Sequence, residues 1–210
     1  MLHVDNISVM LGATEIFHQL SLDLATGEVV SVVGPSGSGK TTLLRAIAGL
    51  QPLVSGRIFV SERDVTGIPT YRRGIGMVFQ DNQLFSHLSV FDNIAYSLRI
   101  KNTLKATRQR QVDDMLRLVG LAGFGKRSTT ELSGGEAKRV AVARSLAAEP
   151  EVLLLDEPLT GLDGELHRRL LEDLSVLLRE RGTTVVHVTH DHAEACELSN
   201  RIVDIRTLSH

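Results

Sequence analysis

The stretch GPSGSGKTT, from Gly34 to Thr42, limits what this chain can fold into more than any other, because its glycines and lysine are useful only in one setting. It satisfies G-x-x-x-x-G-K-[ST] at every position. Ahead of it lies EVVSVVG, Glu28 to Gly34, a nearly continuous β-branched apolar run of the kind found in strands buried on both faces, and behind it KTTLLRAIAGL reads as a helix. Strand, glycine-rich loop and helix in that order make a cradle for phosphate. Gly34, Gly37 and Gly39 permit backbone angles and close approach that a side chain would block, so N–H groups of the loop Gly34, Pro35, Ser36, Gly37, Ser38, Gly39 can converge on phosphate oxygens. Lys40 supplies a cation for the β- and γ-phosphates, Thr41 a hydroxyl for Mg²⁺, and Thr42 follows at the helix start.

The rest of the pattern makes an α/β protein. Alternation in VDNISV and LSLDL predicts two half-buried strands near the N-terminus; GRIFV, IGMVFQ, EVLLLD, TTVVHVTH and RIVDI are further strands. Glu165 to Arg181 is the clearest helix, with Leu166, Leu170, Leu174 and Leu178 along one stripe. Strands alternating with helices imply a mostly parallel sheet covered on both sides. Between Gln80 and Glu151 the pattern changes to VFDNIAYSLRI, TRQRQVDDMLRLVGL and EAKRVAVARSLAA, three helices, so about 81–150 is expected to be a helical subdomain inserted into the core.

With 210 residues the chain suits one domain carrying such an insertion. Its apolar runs are strand-sized, far short of the roughly 20 residues of a membrane helix. The N-terminus lacks a secretory signal, and the lone Cys196 excludes an internal disulfide, so a cytoplasmic location is expected. A net charge of −2 argues against a nucleic-acid partner. One basic run, Arg99 to Arg110, carries five positive charges and no acid, and is read as a solvated face.

A nucleoside triphosphatase needs a second apolar strand ending in acid, which VLLLDEP provides. Asp156 is placed to hold Mg²⁺ through water, and Glu157 to orient or deprotonate the attacking water. Gln80 closes one predicted strand and His190 another, so in a parallel sheet both would emerge at the carboxyl edge beside the loop, a glutamine near metal and water and a histidine near the γ-phosphate. His187, His190, Asp191, His192, Glu194 and Cys196 also cluster in sequence. They are explained by an apolar strand, with His187 and His190 on opposite faces, followed by an acidic helix, without zinc.

TELSGGEAKR, from Thr130 to Arg139, is a second phosphate-binding turn: Ser133, Gly134 and Gly135 precede a helix whose N–H groups would face an anion. One nucleotide needs one cradle. In order and spacing, GPSGSGKTT, VFQDNQLFSHLSVFDNI, LSGGE, VLLLDEP, LTGLD and VTHD together resemble the ATP-binding cassette family over essentially the whole chain. The resemblance implies a P-loop NTPase (RecA-like) parallel-sheet core with an N-terminal antiparallel β subdomain and the inserted helical subdomain. It also accounts for the second turn. In that family two cassettes pair head to tail, ATP glues the pair, and the signature of one chain covers the γ-phosphate on the loop of the other. By this resemblance Ser133 and Gly135 act in trans with Gly134 between them, Asp163 lies at the dimer interface, Lys40, Gln80, Glu157 and His190 are catalytic, and Thr41, Gln80 and Asp156 serve Mg²⁺.

The family's partners are two membrane-spanning permease subunits, each seating a short helix in a groove near the glutamine loop, here lined by Phe85, Leu88, Val90 and Phe91, and in importers an extracytoplasmic substrate-binding protein. The chain would then be peripheral on the inner face of the plasma membrane, as the ATP-hydrolysing motor of a small-solute importer, because LFSHLSVFDNI is similar to cassettes of ion, vitamin and polyamine uptake. No C-terminal regulatory domain is expected. An exporter or lipoprotein- or envelope-remodelling complex shares the chemistry, and a soluble cassette working on DNA or ribosomes is the reading from another class. Three positions depart from the family pattern. Leu11 stands where an aromatic residue often stacks on adenine, which predicts weak or base-indifferent binding; Glu136 replaces a commoner glutamine beside the incoming γ-phosphate; and Thr160-Gly161 replaces Ser-Ala.

Overall fold

The computed structural model describes residues 1–208. Its contacts divide the chain into two compact units, the first built from Met1–Met77, Glu151–Glu157 and the chain from Ser175 on, the second from Val78–Pro150 and Pro158–Leu174.

The first unit holds two sheets. Strands β1 (Leu2–Leu11), β2 (Thr14–Leu24), β4 (Ser55–Val60) and β5 (Arg63–Asp64) form one in the order β2-β1-β4-β5, antiparallel throughout. Leu20, Leu22 and Leu24 face inward as their spacing demands. β1 does not keep a single alternation: Leu2 and Val4 are buried, then Ile7 and Val9, one residue out of phase. Asn6, at φ +49°, falls within the register shift between Val4 and Ile7, so a bulge re-aims the second half of the strand.

The second sheet runs β6-β7-β8-β3-β9, from β3 (Val29–Val33), β6 (Ile75–Val78), β7 (Val152–Asp156), β8 (Thr184–Val188) and β9 (Arg201–Asp204). β7, β8, β3 and β9 are parallel neighbours, and every residue of β3, β7 and β8 is buried, which is why those runs carry no polar alternation. Helix α1 (Lys40–Ala48) contributes Leu43, Leu44 and Ile47 to one core shared with both sheets. Arg73, 6% exposed, ties that helix down: its guanidinium donates to the carbonyls of Ile47 (3.1 Å), Thr66 (2.8 Å) and Ile68 (2.8 Å). Burial holds its pKa below the usual arginine range, against the pull of Asp64.

The second unit is helical. VFDNIAYSLRI forms two short helices rather than one, α2 (Val90–Ile94) and α3 (Tyr96–Ile100), meeting at Ala95 with ψ −6°. Asn93, fully buried, donates to the carbonyls of Phe85 and Ser89 and accepts from Phe85 N–H, so α2 serves to pin the preceding loop. The unit continues with α4 (Lys105–Leu118) and α5 (Gly134–Ala147). Helix α6 (Gly164–Arg181) starts in this unit and ends in the first; of its predicted stripe Leu170, Leu174 and Leu178 are buried and Leu166 is half-buried, while Leu171 joins the buried face. Helix α7 (His192–Leu198) belongs to the first unit.

Candidate active site

Within the first unit the carboxyl ends of β3, β7 and β8 bring together residues far apart in sequence. The loop Gly34 to Gly39 leaves β3 and turns into α1 through Gly39, at φ +91°; a Cβ there would sit 2.7 Å from Phe17 Cζ and 2.8 Å from Ile16 Cγ2. Only glycine lets the loop lie on β2 so closely. Phe17, 3% exposed, is therefore core and loop support, while Leu11, at the end of β1, is 45% exposed.

Lys40 is buried and donates to the carbonyls of Gly34 (2.8 Å) and Pro35 (2.9 Å), so its ammonium lies across the mouth of the loop. Thr41 Oγ1 donates to Asp156 Oδ1 at 3.0 Å, linking the first turn of α1 to the last residue of β7. Asp156 is 2% exposed, and burial, aided by the neighbouring Glu157 charge, pushes its carboxyl pKa up against the pull of the Thr41 hydrogen bond and the Arg45 and Lys40 charges. A hydroxyl and a nearly dry carboxylate converging in this way make a hard-oxygen donor pair of the type Mg²⁺ takes.

Glu157 follows at φ +46°, a left-handed conformation that costs a non-glycine residue about 1–3 kcal/mol. Its N–H donates to Val188 O at 3.0 Å, and its Oε1 lies 3.0 Å from His190 Nδ1. The strained turn aims the carboxylate at the histidine. His190 does not close β8 as its sequence suggests: β8 stops at Val188, and the chain turns because Asp191 N–H donates to Thr189 Oγ1 at 3.0 Å. His187, completely buried within β8, shares a 2.9 Å hydrogen bond with Ser31 Oγ, whereas His190 is exposed beyond the strand. Two histidines three apart thus have separate environments.

The remaining predicted residues lie in the second unit. Gln80 is exposed two residues past β6 rather than at its end. Ser133 caps α5: its Oγ accepts from Glu136 N–H at 3.3 Å, and Glu136 Oε2 accepts from Ser133 N–H at 2.7 Å. The Ser133 backbone N–H, and after it the Ser133 hydroxyl, hold the Glu136 pKa below the usual carboxylate range, so serine and glutamate are tied to each other at the start of the helix. Gly135 packs against the turn before Asp163, since a Cβ on it would lie 3.2 Å from Leu162 Cδ2. Asp163 in turn caps α6, accepting from Leu166 N–H at 3.0 Å. Lys138 donates to Thr160 O at 2.9 Å and so fixes the same turn. Of the four groove residues, Val90 is wholly buried and belongs to the core; Phe85, Leu88 and Phe91 are partly exposed.

Sequence reasoning missed Arg73, Ser31 and Thr189. Arg73 stands in TYRRGIG with no local sign that it turns inward, and the D-x-x-E start of α7, Asp191 to Glu194, signals a helix cap without showing that Glu194 is buried.

A glycine-rich loop from a parallel strand into a helix, with a lysine over the loop and an acid-tipped strand beside it, defines a P-loop nucleoside triphosphatase. The ABC transporter family profile matches residues 17–160, and the chain belongs to that family. It is 47% identical to the Fe(3+) ions import ATP-binding protein FbpC of Streptomyces coelicolor, over 98% of this chain and 59% of that protein. It is 44% identical to the putative 2-aminoethylphosphonate import ATP-binding protein PhnT of Salmonella choleraesuis, over 95% of this chain and 54% of that protein. The chain thus spans somewhat more than half the length of these relatives. Among solved structures it resembles the ATP-binding cassette MJ0796, in a dimeric post-hydrolysis state bound to ADP and Pi, with a TM-score of 0.89 at 31% identity, covering 97% of this chain and 94% of that one.

Proposed function

We propose that this chain is the ATP-binding and ATP-hydrolysing motor of an ABC transporter that imports a small solute. The observation that carries the chemistry is the convergence, within one unit, of Lys40 on the loop, Thr41 on Asp156, and Glu157 on His190. The importer reading is supported by the relatives, whose names give them as ATP-binding proteins for the import of Fe(3+) ions and of 2-aminoethylphosphonate.

In this account the β- and γ-phosphates take the place of the Gly34 and Pro35 carbonyls as partners of Lys40. Thr41 and Asp156, and on the family resemblance Gln80, would hold Mg²⁺, which would supply positive charge for the phosphate oxygens. Glu157 accepts a proton from the attacking water, and His190, tied to it through Nδ1, presents its other ring nitrogen to the γ-phosphate. Asp156 orients rather than deprotonates: a carboxyl in a dry site beside a hydroxyl is poorly exposed to water. Ser133 and Gly135 of a second copy close the site, with the dipole of α5 adding positive potential, and Asp163 lies at that interface. The partly exposed Phe85, Leu88 and Phe91 receive a permease helix. The protein works at the inner face of the membrane, with two permease subunits and an extracytoplasmic binding protein; among the described residues no helix is long and apolar enough to cross a bilayer.

The test is an affinity pull-down of the tagged protein from gently solubilised native membranes. Two polytopic subunits recovered with an extracytoplasmic binding protein support the importer. Ribosomes or nucleic acid without a membrane subunit overturn it, and polytopic subunits without a binding protein turn the reading to an exporter or envelope-remodelling complex.

A further inference from the structure

Behind His190 lies a buried polar chain that the proposed mechanism does not use. Glu194, on α7, is 3% exposed, and its Oε2 accepts a hydrogen bond from Thr189 Oγ1. Thr189 is itself fully buried, and the same Oγ1 accepts from Asp191 N–H at 3.0 Å. The hydroxyl thus has a fixed orientation: its proton goes to the carboxylate, and its lone pair takes the amide on the far side of His190. Further back, Glu194 Oε2 lies 3.7 Å from His187 Nε2, and His187 Nδ1 reaches Ser31 on β3. A carboxylate is costly to bury and is retained only where it is hydrogen-bonded. Here its partner is the residue next to the histidine.

We propose that Glu194 is a positioning residue for His190: through Thr189 it clamps the two residues flanking the histidine, so that the imidazole meets Glu157 and the γ-phosphate in one orientation. The inference rests on the catalytic reading of His190. Without the carboxylate the Thr189 hydroxyl loses its fixed direction and the Asp191 amide its anchor. The imidazole then samples orientations that miss the phosphate, which slows the chemical step and leaves nucleotide binding on the loop unchanged, since Lys40 is held by Gly34 O and Pro35 O and not by Glu194 or Thr189.

The experiment is a double-mutant cycle on the full-length protein in its assembled transporter, reading kcat and KM for ATP together with the thermal midpoint of each variant. Glu194→Ala and the near-isosteric Thr189→Val are expected to lower kcat roughly 10- to 100-fold with KM little changed, the range known for small misplacements of a catalytic group. Glu194→Gln keeps an acceptor for the Thr189 hydroxyl and is expected to retain kcat within about threefold, one hydrogen bond's weakening. In a His190→Ala background Glu194→Ala is expected to cost nothing more, because its effect passes through the histidine. Full multiplication of the two losses would overturn the inference while leaving His190 catalytic, as would unchanged kcat in both Glu194→Ala and Thr189→Val. If His190→Ala alone left kcat unchanged, the catalytic reading of His190 would fail, and this inference with it.

Discussion

Glu157 and His187 show how one residue's surroundings decide what it can do. Glu157 is held in a strained turn with its carboxylate on His190, so Glu157→Gln keeps the shape and removes the base. ATP turnover measured at saturating nucleotide should fall roughly 10²- to 10⁴-fold, and full activity would move the base elsewhere. His187 is the opposite case, a histidine with no exposed atom, whose pKa burial lowers from 6.5 to about 4. Because the folded state binds fewer protons than the unfolded chain between those values, this residue costs no stability above pH 6.5 and costs more as pH falls toward 4, up to roughly 3 kcal/mol. Urea unfolding between pH 7 and pH 4 should show that loss, and His187→Gln should flatten it. The sequence placed His187 in an apolar strand, but its partner Ser31 stands on a strand that is a neighbour only in the folded sheet.

At the scale of elements, the buried strands and the phosphate loop were legible because local chemistry determines them. EVVSVVG and VLLLD contain no alternation, and a strand without alternation must be covered on both faces. The break at Ala95 was not legible, and neither was the bulge at Asn6, which answers to a distant partner, its N–H donating to Ser21 Oγ across the sheet at 3.0 Å. So does Arg73, whose guanidinium replaces missing partners for three carbonyls, one of them in the last turn of α1. Lysine cannot span three acceptors, so Arg73→Lys should destabilise the protein by about 2–4 kcal/mol in urea titration, with the slope of the transition unchanged. A loss below about 0.5 kcal/mol would show that α1 is held by its apolar face alone.

For the whole molecule, the meaning of the second phosphate turn is the central question. Ser133 caps α5, and Glu136, locked in the same cap, brings a carboxylate to the turn. ATP-bound dimers should therefore be weaker in the native chain than in Glu136→Gln, as measured by sedimentation with ATP in a Glu157→Gln background; equal dimerisation would remove charge repulsion from the account. The head-to-tail reading came from the order of motifs and not from any local pattern, because no stretch of one chain encodes the geometry of two. It is tested most directly by mixing two inactive variants, Lys40→Ala, with a spoiled loop and a sound signature, and Gly135→Glu, with a sound loop and a spoiled signature. If the signature serves the partner's nucleotide, mixed dimers contain one intact site and the mixture hydrolyses ATP although neither variant does so alone. A mixture as inactive as its components would contradict a site shared between two copies.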